Sequence, residues 1–156
     1  MMKLIITLII LIALFSCIKN AETKKKEQLY ALAIDHYKNK NFKGSIRVYN
    51  ELIKLDSSKK VKYIFARGLS RSYINNFDGA KKDLLFSIKN SYNKKEAYQM
   101  LAANALKQSN DTVSALNYIN TAYSLYPNDE EILNFKLILM GREAAFQFTL
   151  DSLISK

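Results

Sequence analysis

Several residue types are scarce in this chain of 156 residues, and each scarcity excludes a class of structure or site. The chain has no Trp, one Cys, one His, one Pro and four Gly. A single thiol excludes an intrachain disulfide, and the absence of Trp argues against a site that stacks sugars. The four Gly form no Gly-rich loop for phosphate. Because Pro and Gly are rare and alternating apolar patterns are absent, the composition favours helices throughout.

A long apolar run stands at the N-terminus. It covers residues 4–15, LIITLIILIALF, directly after Lys3. Twelve residues are too few to cross a bilayer comfortably, since a spanning helix needs about 20. A positive residue, an apolar stretch of this length and a small residue, Ser16, are typical of a secretory signal peptide. Residues 1–16 are therefore predicted to be a signal peptide and not part of the fold.

The single cysteine, Cys17, follows this segment and ends the sequence LFSC. This sequence resembles the lipobox of bacterial lipoproteins, although Phe15 departs from the usual residue two places before the cysteine. The resemblance implies that Cys17 carries a diacylglycerol and palmitate anchor after cleavage just before it. Ile18 stands where an aspartate favours inner-membrane retention in enterobacterial sorting, so the outer membrane is expected. The alternative is an uncleaved signal anchor with a chance cysteine.

Charge is distributed unevenly along the chain. From Lys19 to Lys95 there are 19 Lys and Arg against 7 Asp and Glu, and from Glu96 to Lys156 there are 4 against 7. A basic half attracts an anionic membrane, an acidic partner or nucleic acid, and export argues against nucleic acid. A lysine-rich solvated face is the alternative. Residues 17–26 are polar and without periodicity, which predicts a tether between the lipid and one folded domain.

A repeat of 35 residues runs through the rest of the chain. NFKGSI at residues 41–46 returns as NFDGAK at residues 76–81, and DTVSA at residues 111–115 is in phase with both. Small residues coincide at two positions of the repeat and larger residues at a third, namely Ala33, Gly68 and Ala103; Ser45, Ala80 and Ala115; and Tyr49, Leu84 and Ile119. A fixed period of this length indicates stacked supersecondary units.

Apolar spacings of three and four residues predict three helix pairs within residues 27–129. The predicted helices are 27–39 with 43–55, 60–74 with 78–90, and 94–108 with 112–125, which places the repeats at 27–56, 60–91 and 94–126. An asparagine followed three residues later by a glutamate predicts a capping box at Asn93 with Glu96 and at Asn128 with Glu131. The small residues of the repeat are expected where the two helices of a pair approach each other.

Residues 130–156 are predicted to form two capping helices, 130–140 and 143–154, because a solenoid must cover its last apolar face. Gly141 allows a break between them, and a single kinked helix is the alternative. Phe146, Leu150 and Leu153 line up along the second of these helices. The first is apolar on nearly every face, so it is either sandwiched between neighbours or in contact with a second molecule. A homo-oligomer through this helix is therefore an expectation.

Together these features resemble the tetratricopeptide repeat (TPR). The residues at the family's characteristic positions in the first repeat are Leu32, Ala33, Phe42, Ser45 and Tyr49. LYPN at residues 125–128 is similar to the closing motif of the family. Arg67 and Lys81, at usually apolar positions, and a period of 35 in place of 34 are departures. The resemblance implies an all-α fold, a short solenoid of antiparallel helix pairs, whereas the alternative is an irregular helical bundle.

The resemblance also implies a concave groove, lined by the first helix of each pair, that binds partners. The residues that correspond to its lining are Tyr30, Ile34, Tyr37, Lys38, Lys62, Phe65, Leu69, Tyr73, Met100, Asn104, Lys107 and Gln108. Large apolar side chains with lysines around them are typical of a binding site. The alternative is that residues 130–156 or the tether fold back and fill the groove.

Catalytic constellations are missing from the sequence. His36 lies in a predicted helix with no second metal ligand nearby, and SSKK at residues 57–60 lacks the companion motifs of a Ser-x-x-Lys enzyme. No enzyme, metal site or cofactor is expected. The sequence instead predicts a membrane-anchored scaffold that docks a protein or peptide segment as part of an envelope assembly. The alternative is an accessory lipoprotein that binds a glycan or peptide for a transporter.

Overall fold

The computed structural model describes the backbone of residues 2–154 and the side chains of residues 15–16, 18–145 and 147. This part of the chain contains seven helices and no strand, so the expected all-α class is confirmed. The helices are α1 Met2–Lys38, α2 Phe42–Leu55, α3 Lys60–Tyr73, α4 Phe77–Lys89, α5 Lys94–Ser109, α6 Thr112–Leu125 and α7 Glu130–Ile154. The chain divides into two compact units, an N-terminal unit Met1–Lys60 and a C-terminal unit Val61–Lys156.

The tether predicted at residues 17–26 is helical, because α1 continues through it as one helix. The segment has no apolar stripe, but its Ala, Glu and Lys residues are strong helix formers. The Lys26 ammonium also lies 2.6 Å from the Glu22 carboxylate one turn earlier. Helix propensity therefore orders a segment that hydrophobic periodicity did not mark. The side chain of Cys17, the predicted lipidation site, lies outside the described residues.

The N-terminal unit is the pair α1 and α2. Ala33 on α1 and Ser45 on α2 are fully buried, as is Leu52. Tyr49 is also buried, and the rings of Tyr37 and Phe42 meet edge to face across the turn with centroids 5.5 Å apart. The small residues of the first repeat thus lie where the two helices approach, as predicted.

Two apolar clusters lie in the described part of the C-terminal unit. One lies between α3, α4 and α5 and is formed by Phe65, Ala80, Leu84, Ala97 and Leu101. The other lies between α5, α6 and α7 and is formed by Ala102, Ala115, Ile119, Ala122, Ile132 and Leu139. Ala80 and Ala115, predicted helix contacts, belong to these clusters, and so do the larger residues Leu84 and Ile119.

The turn inside each helix pair has the same construction three times. Lys40, Asn75 and Asn110, spaced 35 residues apart, have left-handed backbones with φ of 58°, 60° and 52°. The next residue caps the second helix: Asn41 and Asn76 each accept a hydrogen bond from a glycine N–H three residues later, and Asp111 accepts one from the N–H of Ser114. The repeated NFxG sequence is therefore a turn and capping signal.

The two predicted capping boxes are wrong. Asn93 has a left-handed backbone and its side chain makes no capping hydrogen bond. At α7 the capping residue is Asp129, whose Oδ1 accepts a hydrogen bond from the Ile132 N–H at 3.1 Å, and not Asn128. The Asn-x-x-Glu spacing alone does not distinguish a cap from a turn residue, because asparagine also favours left-handed turns.

The departure at Arg67 is explained by an ion-pair cluster between α3 and α4. Arg67 donates two hydrogen bonds to the Asp83 carboxylate, at 2.7 and 2.8 Å, and Arg71 donates a third at 2.7 Å. Gly68 lets the helices approach, because a Cβ there would lie 3.0 Å from the Asp83 Cβ. An arginine is tolerated at this usually apolar position because the buried Asp83 carboxylate lies opposite it and pairs with it. Lys81, the other departure, is exposed.

The C-terminal segment is one helix, α7, which corresponds to the alternative of a single helix and not to two capping helices. Gly141 lies inside it, and among the described residues no side chain or other helix comes within 4 Å of where its Cβ would be. A glycine costs a helix about 1 kcal/mol, which its flanking helix formers offset, so Gly141 does not end it. Ile132 and Leu139 anchor α7 in the cluster with α5 and α6. Phe146, Leu150 and Leu153 have side chains outside the described residues.

Candidate functional site

The first helices of successive pairs in the C-terminal unit, α3, α5 and α7, share an open pocket of about 400 Å³. The pocket is lined by Leu69, Glu96, Gln99, Met100, Ala103, Glu131 and Phe135. We call it the α5 pocket, because α5 contributes four of these residues. Its size is that of a site for one or two side chains of a partner or for a small ligand.

The floor of the α5 pocket is apolar and rests on both clusters of the C-terminal unit. Leu69 and Met100 pack against the cluster between α3, α4 and α5. Phe135 packs against the cluster between α5, α6 and α7. All three side chains are half-buried, so each offers part of its surface to the pocket while the core holds it in place. The floor is therefore preformed, which lowers the entropic cost of binding.

The rim of the α5 pocket is acidic. Glu96 is exposed in the first turn of α5, and Glu131 is exposed in the first turn of α7. Lys95 partly neutralises this rim, because its ammonium lies 2.6 Å from Asp129 and 3.1 Å from Glu131. Glu96 has no ion-pair partner of this kind among the described residues. A cationic group of a bound partner would find its counter-charge there.

The same ion pairs connect the beginnings of α5 and α7. The hydrogen bond from Lys95 lowers the pKa of Asp129, and the capping hydrogen bond from the Ile132 N–H lowers it further. The hydrogen bonds to Asp129 and Glu131 raise the pKa of Lys95. Both groups are therefore charged at neutral pH, and the two helix ends that border the pocket are held together.

The predicted groove residues of α3 separate into buried and accessible ones. Phe65 is only 7% exposed and packs in the core, with its ring 5.7 Å from that of Tyr92, so it offers little surface to a partner. Leu69 lies in the pocket floor, and Lys62 is half-buried. Tyr73 is 48% exposed. Of the apolar stripe predicted along α3, Phe65 faces α4 and α5 in the core, whereas Leu69 and Tyr73 remain accessible.

On α5 only Met100 of the predicted groove residues lines the α5 pocket. Asn104 is buried, and its Nδ2 donates a hydrogen bond to the Ser72 Oγ at 2.8 Å, so it connects α5 to α3. Lys107 and Gln108 are exposed nearer the end of the helix. Asn104 therefore has a structural role, and together with Gln108 it also lines a second pocket of about 90 Å³.

The groove residues predicted on α1 lie in the N-terminal unit. Tyr30, Ile34 and Tyr37 are half-buried, and Lys38 is exposed. A continuous wall formed by these residues and those of α3 stays a prediction. His36 is near the turn, where Asn41 Nδ2 lies 3.1 Å from its Nδ1. No group of three metal-ligating side chains occurs among the described residues.

Five of the pocket residues lie outside the predicted groove, and two of them, Phe135 and Glu131, could have been found from the period. Phe135 follows Met100 by 35 residues, as Met100 follows Phe65, and Glu131 follows Glu96 by the same interval. Both signals require the repeat to be extended beyond Asp129, into the segment that was predicted to be a cap. Gln99 and Ala103 flank Met100 on α5 and carry no such signal.

Comparisons with known proteins bear on the fold. No family model and no curated protein matches the chain. Solved structures do match, among them a TPR repeats protein from Bacteroides fragilis NCTC 9343 with a TM-score of 0.67 and 21% sequence identity. The match covers 84% of this chain, which spans 58% of the length of that one. This likeness shows an all-α, TPR-like solenoid of helix pairs.

Proposed function

We propose that this chain is a protein-interaction scaffold that holds a segment of a partner protein in the α5 pocket. The observation that carries the proposal is the preformed apolar floor of Leu69, Met100 and Phe135, open to solvent on the face shared by three first helices. A partner's apolar anchor residue gains most binding free energy when it leaves water and packs against half-buried apolar side chains of this kind. The TPR-like fold supports a binding role, and no catalytic activity is proposed.

The pocket chemistry suggests which partner fits. The apolar floor accommodates one large apolar side chain, and the carboxylate of Glu96 stands at the rim. A helical or extended segment that carries a lysine or arginine near its apolar anchor would complement both features. The apolar contact would supply most of the affinity, whereas the charge pair would mainly affect the association rate and its salt dependence.

The chain is further proposed to act at a membrane, anchored by a lipid on Cys17 in the envelope of a bacterium, at the outer membrane, as part of a larger assembly. The apolar run, the small residue before Cys17 and the solitary thiol support the anchor. Among the residues that the structure describes, no helix combines the length and apolar character needed to cross a bilayer. A diacylglycerol and an amide-linked acyl chain would give stable anchoring, since two chains suffice.

Site-directed photo-crosslinking in cells tests the pocket. Gln99, on the rim, is replaced by benzoylphenylalanine, and Val113, which is 59% exposed on α6, carries the same probe as the matched control. Illumination is expected to yield a discrete protein adduct from position 99 and none from position 113. Leu69→Glu, which puts a charge in the floor, and Glu96→Lys, which reverses the rim charge without touching the core, should each remove most of that adduct.

Two results would contradict the proposal. One is the same set of adducts from both probe positions, which would indicate random encounters. The other is an undiminished adduct in both the Leu69→Glu and Glu96→Lys variants. Glu96→Lys guards against a trivial loss through unfolding, because the Glu96 side chain is exposed and makes no core contact. Circular dichroism of each variant checks that the helices are retained.

A further inference from the structure

The helix α7 exposes an apolar stripe formed by Leu133, Leu137, Met140 and Ala144, which we call the α7 stripe. Leu137 is 55% exposed and Met140 is 49% exposed, and none of these four belongs to a buried cluster. Ile132 and Leu139 hold the opposite side of the helix in the core. Helix geometry places the stripe on the opposite side of α7 from Phe135, which lies in the floor of the α5 pocket. The stripe and the pocket are therefore separate surfaces.

The 35-residue period identifies what belongs on the α7 stripe. Leu133, Leu137 and Met140 stand 35 residues after Tyr98, Ala102 and Ala105 of α5. In α5 those positions form or pack against the cluster that α6 covers through Ala115, Ile119 and Ala122. The link between α5 and α6 is only two residues, so α6 runs antiparallel to α5. The α7 stripe is therefore the equivalent site for an antiparallel helix.

The spacing of the stripe fits a second copy of α7. Its residues follow one another at intervals of four, three and four, which is the spacing of a seam between two helices. In an antiparallel pair of α7 helices, Leu137 comes opposite Met140 of the other copy, and Leu133 comes opposite Ala144. Leu137 and Met140, both large, then meet in the centre of the seam, and at each end the large Leu133 meets the small Ala144. The stripe is therefore complementary in shape to the stripe of a second copy.

The charges beside the α7 stripe favour the same orientation. Lys136 and Glu143 are half-buried and flank the stripe on one side. Within the chain, the Lys136 ammonium lies 4.3 Å from the centre of the Tyr123 ring, and Glu143 Oε1 accepts a hydrogen bond from Gln147 Nε2 at 3.2 Å, so pairing between copies would be in addition to these contacts or would replace them. In the antiparallel register, Lys136 of one copy lies about two residues, roughly 3 Å along the helix axis, from the level of Glu143 of the other, and vice versa, so two opposite-charge pairs can form. In a parallel pair, Lys136 of one copy would lie level with Lys136 of the other, and Glu143 level with Glu143. Like charges would then be closer to each other than opposite charges. Opposite charges at flanking positions select helix orientation in such seams.

We propose that two copies of this chain associate through antiparallel pairing of their α7 helices along the α7 stripe. Each α7 helix then takes, against the other copy, the place that α6 takes against α5. The proposal does not depend on the function proposed for the α5 pocket, because the pocket residue Phe135 lies on the other side of α7 from the stripe.

Sedimentation of the full chain in a nonionic detergent tests the association, with Leu137→Glu as the variant and Ile138→Glu as its matched control. Ile138 is 62% exposed on the same helix but lies outside the stripe. The unmodified chain and Ile138→Glu are expected to sediment as dimers, and Leu137→Glu as a monomer with unchanged circular dichroism. A monomeric unmodified chain, a dimeric Leu137→Glu variant or equal dissociation of both variants would overturn the proposal.

Cysteine crosslinking tests the orientation in a Cys17→Ser background, which removes the native thiol. A chain with both Leu133→Cys and Ala144→Cys should form an intermolecular disulfide on mild oxidation. Leu133→Cys alone should not, because its counterpart lies about 16 Å along the helix, eleven residues at about 1.5 Å each. An efficient disulfide from Leu133→Cys alone would indicate parallel pairing and overturn the antiparallel arrangement, whether or not Leu137→Glu affects folding.

Discussion

At the scale of single residues, the turn inside each helix pair depends on one left-handed backbone. Asparagine occupies that position in the second and third repeats, at Asn75 and Asn110, and it adopts left-handed φ more easily than most residues. The first repeat has Lys40 there, with φ of 58°. A lysine gains nothing from this conformation, since its side chain is exposed and the cap comes from Asn41. The first turn therefore contains avoidable strain.

Lys40→Gly should stabilise the protein by about 1 kcal/mol, because glycine adopts left-handed φ without the steric cost that other residues carry. The measurement is the urea midpoint, followed by circular dichroism, at an unchanged slope. Asn75→Gly should gain less, since asparagine already tolerates the conformation. Arg47→Gly, at an exposed position in the middle of α2, should instead lose about 1 kcal/mol. A lower midpoint for Lys40→Gly would show that the turn does not require a left-handed residue.

At the scale of elements, α3 and α4 are joined by charge as well as by apolar contact. Asp83 is 5% exposed and accepts hydrogen bonds from two arginines, Arg67 and Arg71. Arg71 also donates to the Gly79 carbonyl at 3.2 Å. A carboxylate this buried is tolerable only because its oxygens are paired. The cluster specifies which face of α3 meets α4, and it does so at the repeat position where an apolar residue is usual.

Asp83→Ala should destabilise the C-terminal unit by about 3–5 kcal/mol, because it leaves two largely buried guanidinium groups without a partner. Urea unfolding measures the loss. The triple variant Arg67→Met, Asp83→Leu, Arg71→Leu should recover much of it, since apolar residues of similar volume often replace buried ion pairs at little cost. A loss below about 1 kcal/mol for Asp83→Ala would indicate that water or a neighbouring acid replaces the carboxylate.

At the scale of the whole molecule, the chain is proposed to be held at a membrane by a lipid. The candidate anchor, Cys17, precedes a helical segment in which Lys19, Lys24 and Lys25 are exposed. Exposed lysines beside a lipid anchor would add electrostatic attraction to an anionic leaflet, of about 1 kcal/mol for each charge near the surface. The lipid, rather than these charges, is expected to determine localisation.

Cys17→Ser should abolish incorporation of labelled palmitate and leave an uncleaved precursor, because no other thiol can accept the lipid. Metabolic labelling followed by membrane fractionation measures both effects. Moving the thiol to an exposed loop, with Cys17→Ser and Ser57→Cys together, should not restore labelling, since the lipobox-like sequence is absent there. An unlabelled natural chain, or a labelled Cys17→Ser variant, would contradict the lipoprotein prediction.

The helical class, the period and most helix bounds could be predicted from the sequence because they are local. Apolar spacing and turn residues act within a few positions, so α2 to α6 lie within one residue of their predicted bounds. The predictions failed where local signals conflict or are absent. Residues 17–26 lack a stripe but have helix-forming side chains, and the single glycine at position 141 costs α7 too little to end it.

What the sequence by itself determined is the repeat: the 35-residue period, its small and large positions, and the turn that recurs with Asn41, Asn76 and Asp111. What only the tertiary structure decided is which side of each helix faces a neighbour. Phe65 and Met100 occupy the same repeat position, yet one is core and the other lines the α5 pocket. Each position is exposed or buried according to the helix that packs next to it, and that neighbour is distant in sequence. Phe65 is covered by the Tyr92 ring, whereas at Met100 the neighbouring Phe135 leaves the face open.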